Sequence, residues 1–298
     1  MSYILSGFTD EASAKFSEQL HTCKVNGLQW IELRGLNGKN VSELTTKEAK
    51  ELKKQMSDNH IFVSSIASSF GKIDLTEDFF PHLESFKHTI ELAHIFEARY
   101  FRIFSFYLPE NEKREAYYDT ICERIGMFIE NAEGIQLCHE NEKNVYGRDE
   151  ISCKKLYDEF GGKIKLIFDP ANFIQSGSNI EKAFHILREA IEYFHVNDCL
   201  YDSLQYVPAG VGNGKIEWLI ESFYNPDKEV FLSVEPHLKI FNGYVNLQKE
   251  DKLLSKYVYP TNKRAFAAAV SALKEVMNSV SYKQEANSKK GYDEWLQK

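Results

Sequence analysis

Eight short apolar segments recur along this chain, each followed by a longer amphipathic stretch, and this alternation constrains the fold more than any other feature. The segments are SYILSGF (2–8), LQWIEL (28–33), IFVSSIA (61–67), RYFRIFSF (99–106), IQLCHE (135–140), IKLIFD (164–169), IEYFHV (191–196) and VFLSVE (230–235). They are rich in β-branched and aromatic residues, the composition of strands buried on both faces of a parallel sheet. The stretches between them, such as TKEAKELKKQM, LESFKHTIELAHIF and IEWLIESF, carry apolar side chains three and four residues apart, which gives a helix one buried face. Successive strand starts lie 26 to 39 residues apart, so the chain predicts eight βα units in series. That is an α/β fold of the (β/α)8 barrel type, because eight regular alternations favour closure over a doubly wound open sheet. With 298 residues and no Pro- or Ser-rich linker, the expectation is one barrel domain over 1–298, with 283–298 as a polar C-terminal extension. Thr46 reads as a helix N-cap, and Gly27, Gly134 and the Gly161-Gly162 pair as the turns that follow helices.

Charge and cysteine usage narrow the function. Lys and Arg number 36 against 44 Asp and Glu, a net charge of −8, which supplies no general attraction to nucleic acid or to an anionic membrane. A small-molecule substrate is the expected partner, and assembly into a homo-oligomer is compatible with this reading. The five cysteines contain no CxxC pair, which fits reduced thiols in a cytoplasmic protein better than a disulfide framework or a zinc ribbon. The N-terminus, MSYILSGFTDEASAKF, has no basic leader region and no apolar run of membrane-spanning length follows it, so neither a signal peptide nor a membrane span is expected.

In a (β/α)8 barrel the chemistry sits at the C-terminal ends of the strands. Strand five ends in His139-Glu140-Asn141, strand six in Asp169-Pro170-Ala171-Asn172, strand seven in His195-Val196-Asn197-Asp198 and strand eight in Glu235-Pro236-His237. Four successive strands thus deliver Glu140, Asp169, His195 and Glu235 to one rim. Any one of them alone would read as a polar strand end. Together, three carboxylates around one mouth repel one another unless a cation joins them, and a divalent ion with an oxygen-rich shell and one nitrogen resolves the conflict. Mn²⁺, Mg²⁺, Co²⁺ and Zn²⁺ all suit the donor set, and the donors by themselves do not choose among them.

These residues resemble the xylose isomerase-like barrels, in particular the sugar isomerase and epimerase branch that includes the ketose 3-epimerases. The match runs from GFTDE through IELRG to the last strand, with Glu140 in CHEN, Asp169 in FDPAN, His195 in FHVND and Glu235 in VEPH. The resemblance implies that these four hold the metal and that Glu140 and Glu235 also act as the acid/base pair. It implies a ketose, sugar phosphate or keto-glycoside substrate, isomerised or epimerised by proton abstraction beside its carbonyl through an enediolate. One departure stands out: the ketose epimerases carry His three residues after the strand-six Asp, where this chain has Asn172, which can hydrogen-bond a hydroxyl but cannot titrate. Segments such as IELRG, FGKI and VEPHL look closest to a sub-branch acting on oxidised sugars such as 3-keto-glycosides, for which a lyase or hydrolase using the same metal and glutamates is the alternative.

Lys72, Asn172, Asp198 and His237 are the candidate substrate contacts, with a loop lysine, a loop-capping aspartate and a packed rim histidine as the plain alternatives. Glu32, Arg34 and Arg102 are charges within apolar strands, and a network of ion pairs inside the barrel is the expectation for them. The glycines of Ala209-Gly210-Val211-Gly212-Asn213-Gly214 lie too late in the chain for a dinucleotide loop and are expected to offer backbone amides to substrate. Histidines in helical stretches (His82, His88, His94, His185) read as surface or packing residues, and Cys138 and Cys199 as buried packing. Two other functions compete. An abasic-site endonuclease on the same scaffold needs a histidine-rich three-metal mouth, but Ser68, Ser105 and Asn172 stand where histidines would be required. A non-catalytic sugar-binding protein would have no use for the Glu140 and Glu235 pair.

Overall fold

Each of the eight apolar segments forms a strand of one parallel sheet. They are β1 (Tyr3–Gly7), β2 (Trp30–Leu33), β3 (Phe62–Ile66), β4 (Tyr100–Ile103), β5 (Gln136–Glu140), β6 (Ile164–Phe168), β7 (Ile191–Val196) and β8 (Val230–Val234). The computed structural model describes residues 3–109, 113–225, 227–239 and 257–296. Hydrogen-bonded neighbours follow the order β1-β8-β7-β6-β5-β4-β3-β2, which brings the first strand against the last and makes a nearly closed barrel. Among the described residues β1 and β2 share no ladder, and the Ser6 and Ser64 hydroxyls, 2.6 Å apart, tie β1 to β3.

The helices that return the chain between strands are α1 (Phe16–Asn26), α2 (Thr46–Asp58), α3 (Phe79–Phe96), α4 (Tyr118–Glu130), α5 (Glu150–Glu159), the short α6 (Pro170–Gln175), α7 (Ile180–Leu187), α8 (Ile216–Phe223) and α9 (Asn262–Leu296). The cap of α2 is Thr45, one residue before the Thr46 expected from sequence. Its side chain accepts the Glu48 amide while the Glu48 carboxylate accepts the Thr45 amide, a reciprocal pairing that requires the threonine to stand three residues before the glutamate. Gly27 closes α1 with φ of 65° as expected. Helix α9 continues through the expected polar extension from residue 283 as far as Leu296; residues 297 and 298 lie outside the described residues.

The largest apolar layer lies between sheet and helices, where Phe70, Phe86, Phe101 and Phe128 pack with ring centroids 4.5 to 6.3 Å apart. The barrel interior is different. Glu32, Ser65, Tyr193, His195 and Ser233, all buried, meet there as a polar layer in place of the branched apolar side chains that usually fill such a barrel. Burial on this scale is tolerable only because each polar group finds a partner.

The turn after β3 shows how tightly the rim is fitted. Gly71 has φ of +89°, and a Cβ at that position would lie 2.2 Å from the Phe104 carbonyl oxygen. Its amide donates to Nε2 of His82 (2.9 Å), whose ring rests on Phe70 at 5.0 Å. Burial, reinforced by Arg124, lowers the His82 pKa to about 4. Gly71→Ala is therefore expected to cost at least about 2 kcal/mol in chemical denaturation, and a loss within experimental error would contradict this packing. Because the folded-state pKa of His82 lies below the unfolded value, its stabilisation is present above about pH 6.5 and is lost as pH falls toward about 4, by up to about 3 kcal/mol. Denaturant midpoints measured across that window should fall more steeply for the wild type than for His82→Gln, and parallel curves would refute the assignment.

Candidate metal centre

The alternation of the strands turns one side chain from each of several strand ends toward the barrel axis. Glu140 is the last residue of β5, His195 lies near the end of β7, and Asp169 and Glu235 directly follow β6 and β8. These four place ligand atoms within 4.8 Å of one another and all four are buried. Four expected ligands, separated in sequence by up to 95 residues, thus meet at one point.

His195 sits at the centre. Its Nδ1 lies 2.7 Å from Glu140 Oε1 and 3.2 Å from Glu235 Oε2, while Nε2 lies 3.1 Å from Glu32 Oε1. Glu32 is in turn held by the hydroxyls of Tyr193 (2.9 Å) and Ser233 (2.6 Å). This arrangement leaves Nδ1 to face the carboxylates and commits Nε2 to donate to Glu32, the support that a metal-binding imidazole requires. Burial by itself would depress the His195 pKa, but Glu140 and Glu32 outweigh it and hold the value well above the ordinary imidazole range.

Two arginines brace the glutamates. Arg102 Nη1 lies 3.0 Å from Glu140 Oε2, and the same guanidinium donates to the carbonyls of Ser68 and Ala67. Arg34 Nη1 lies 2.6 Å from Glu235 Oε1, and its remaining donors grip Asp10 (2.8 and 3.1 Å) and Glu11 (3.3 Å). Both glutamates consequently stay ionised. Burial opposes this, but His195 with Arg102 lowers the Glu140 pKa, and His195 with Arg34 and Arg102 pulls Glu235 well below the usual carboxylate range. The ion pairing expected for Glu32, Arg34 and Arg102 is present, although the arginines pair with carboxylates of the rim and Glu32 with the histidine.

Asp169 has no such support. Its Oδ1 accepts the Asn172 amide at the start of α6 (2.9 Å) and its Oδ2 faces the Asn197 amide at 3.5 Å. Among the described residues no Lys or Arg pairs with it, and burial together with repulsion from Glu140 and Glu235 pushes its pKa well above the ordinary carboxylate value. Beside it, the buried Asn197 Oδ1 has no donor. A deficit of positive charge at Asp169, a bare acceptor next to it and an imidazole nitrogen aimed at the same point form a donor set that fits one divalent cation.

The mouth above this cluster is a cavity lined by Lys72, Arg102, Asn172, Asn197, Tyr206 and His237 together with the carboxylates. Lys72 lies 2.5 Å from Glu142 and over the Phe104 ring at 4.2 Å. Asn172 donates to the Asn141 carbonyl (3.1 Å) and approaches Glu140 at 3.4 Å. Asn141 itself clasps the Asp169 backbone through both ends of its amide (2.8 and 2.9 Å), which fixes the end of β5 against that of β6. His237 Nδ1 lies 2.9 Å from Glu11. Lys72, Asn172 and His237, three of the four candidate contacts, therefore line one cavity.

Asp198 does not join them. Its carboxylate accepts the amides of Gly210 (3.0 Å), Gly212 (3.0 Å) and Gly214 (2.8 Å), and a Cβ on Gly212 would lie 2.3 Å from its Oδ1. The glycine run thus wraps an aspartate of its own chain, and the expectation that its amides face substrate is corrected. Asp10, Glu11, Glu142, Asn197 and Tyr206 were not among the expected contacts. Applying the strand-end rule to β1 would have found Asp10 and Glu11, which follow it in Thr9-Asp10-Glu11.

A family model described as the xylose isomerase-like TIM barrel matches residues 20–256. Similar solved structures include an L-ribulose 3-epimerase (16% identity, TM-score 0.70, covering 97% of this chain and 98% of that one). Another is the probable 3-DHS dehydratase AsbF from Bacillus anthracis (18%, 0.66, 92% and 99%). A third is the IOLI protein with a bound zinc atom (17%, 0.67, 94% and 99%). At these identities the likeness is one of fold. No curated protein sequence matches the chain.

Elemental analysis of protein loaded with Mn²⁺ and then desalted is expected to find the ion in the wild type and to lose it in His195→Ala. Glu32→Gln, which disturbs only the far side of the imidazole, should weaken the metal by about 10- to 100-fold. Equal metal content in all three proteins would rule out the assignment.

Proposed function

This chain belongs to the xylose isomerase-like TIM barrel family, and we propose that it is a divalent-metal-dependent isomerase or epimerase of a ketose, sugar phosphate or keto-glycoside. The observation that carries the reading is the meeting of Glu140, Asp169, His195 and Glu235 within 4.8 Å at the bottom of a polar cavity. The similarity to an L-ribulose 3-epimerase and to a zinc-binding barrel supports it at the level of fold. Mn²⁺ is the ion proposed, and a cytoplasmic location is proposed from the cysteine pattern of the sequence; among the described residues no helix is long and apolar enough to cross a membrane.

Glu140, Asp169, His195 and Glu235 would hold a divalent cation, which when bound would supply the electrophile that acidifies the carbon beside a carbonyl. Glu140 and Glu235 are the proposed acid/base pair. Each turns one oxygen to His195 and gives the other to an arginine, so both begin ionised, the state a proton acceptor requires. Such clamped carboxylates are weak bases. Most of the acceleration must then come from stabilising the enediolate, toward which Arg102, itself on the cavity wall, directs fixed positive charge. Asn172 and His237 hold substrate hydroxyls, and Lys72 faces an oxygen at the outer edge. Expulsion of a β-substituent after the same first step would make the enzyme a lyase, a reading that the fold-level likeness to a probable dehydratase favours as the alternative.

Proton NMR in D₂O, with the metal-loaded protein and a panel of ketoses, ketose phosphates and keto-glycosides, separates these outcomes. Deuterium should enter at the carbon beside the carbonyl of at least one substrate, and Glu140→Gln or Glu235→Gln should slow that exchange by about 10²- to 10⁴-fold. Exchange at wild-type rate in both variants would refute the acid/base assignment. New alkene signals would mark the lyase.

A further inference from the structure

A second cluster adjoins the first and shares one residue with it. Glu11, Glu235 and His237 also bring ligand atoms within 4.8 Å of one another. Glu235 turns Oε2 toward His195 Nδ1 (3.2 Å) and Oε1 toward His237 Nε2 (3.8 Å). A carboxylate shared between two groups of this kind is the layout of a two-metal centre, in which ions about 3.5–4 Å apart clamp both oxygens of a displacement reaction. In this chain the second position holds a guanidinium. Arg34 Nη1 lies 2.6 Å from Glu235 Oε1, Nη2 lies 3.3 Å from Glu11 Oε1, and Nε and Nη2 grip Asp10 at 2.8 and 3.1 Å. Its side chain is 3% exposed and stacks on Phe8 with Cζ 4.4 Å from the ring centre. Gly35 admits the Asp10 carboxylate, since a Cβ there would lie 3.0 Å from Asp10 Oδ2.

We propose that Arg34 is the built-in cation of this second cluster, that it limits the centre to one divalent ion, and that two-metal hydrolytic chemistry is thereby closed to the chain. The inference rests on reading the first cluster as a metal site. A guanidinium cannot give up its charge, and the carboxylates of Asp10, Glu11 and Glu235 all pair with it. A metal ion entering among them would have to expel a cation that is itself buried against these carboxylates and stacked on Phe8. The same contact leaves Glu235 a single oxygen for the first cluster, so the two clusters cannot be filled by metal together while Arg34 is present.

Replacing Arg34 by Met keeps an unbranched stem on Phe8 and removes the charge, which frees Asp10, Glu11, Glu235 and His237 as an oxygen-rich donor set with one nitrogen. Mn²⁺ binding, counted by elemental analysis after desalting and by loss of the free-ion EPR signal during titration, tests this on the full chain. The wild type is expected to hold one ion, Arg34→Met two with a spin-coupled EPR spectrum, and the Arg34→Met, His237→Ala double variant one. A count in Arg34→Met equal to that of the wild type overturns the proposal, and so does a wild type that holds two ions. A wild type that holds none would instead refute the metal reading of the first cluster, while the difference between wild type and Arg34→Met still decides the role of Arg34. If Arg34→Met does not fold, Glu11→Gln and His237→Ala made singly with Arg34 in place should each keep the one ion. Loss of an ion in either would overturn the inference.

Discussion

Surplus negative charge buried at one end of the barrel governs the rest of this structure. Asp10, Glu11, Glu32, Glu140, Asp169 and Glu235 belong to one connected network, with their side chains largely removed from water. Arg34, Arg102, His195 and His237 are their cationic partners. Even with both imidazoles protonated, six carboxylates outnumber four positive groups by two charges. Like charges in a poorly solvated site cannot persist without a counter-ion or a proton, and the shortfall is concentrated at Asp169, the one carboxylate of the first cluster with no guanidinium on it.

The distribution of the cations decides what the centre can do. Arg102 and Arg34 occupy the outward oxygens of Glu140 and Glu235, so the inward oxygens converge on His195 and on the point that Asp169 faces. Glu32 approaches the same imidazole from below and orients it. The polar layer of Ser65, Tyr193 and Ser233 exists to keep Glu32 in place, which explains why the interior of this barrel departs from the apolar filling common to the fold. Preorganisation of this kind fixes the donors before any ligand arrives.

Much of the fold was legible in the chain because burial on both faces leaves a strong local mark. All eight apolar segments became strands within a few residues of their expected limits, since a parallel strand covered by helices has to be apolar throughout. Helix termini were less legible. Thr45 and Thr46 both suit a cap by residue type, and the spacing to Glu48 three residues on selects Thr45. The same ambiguity misled the reading of Asp198 and the glycines from 210 to 214. A carboxylate after a strand and a glycine-rich loop each suggest a ligand, and nothing local reveals that they satisfy one another. Lys72, by contrast, reached the cavity through a turn whose glycine admits no side chain.

What the sequence determined by itself was the architecture and the identity of the four residues at the strand ends, because strand period and strand order are local properties that a barrel converts directly into position. The tertiary structure alone decided how charge is balanced around them. That Glu32 supports His195, that Arg102 and Arg34 divide Glu140 and Glu235 between them, and that Asp10 and Glu11 belong to the same mouth are facts about contacts between strands far apart in the chain. Coulomb energy depends on distance in space and on burial, and neither quantity exists until the barrel has closed.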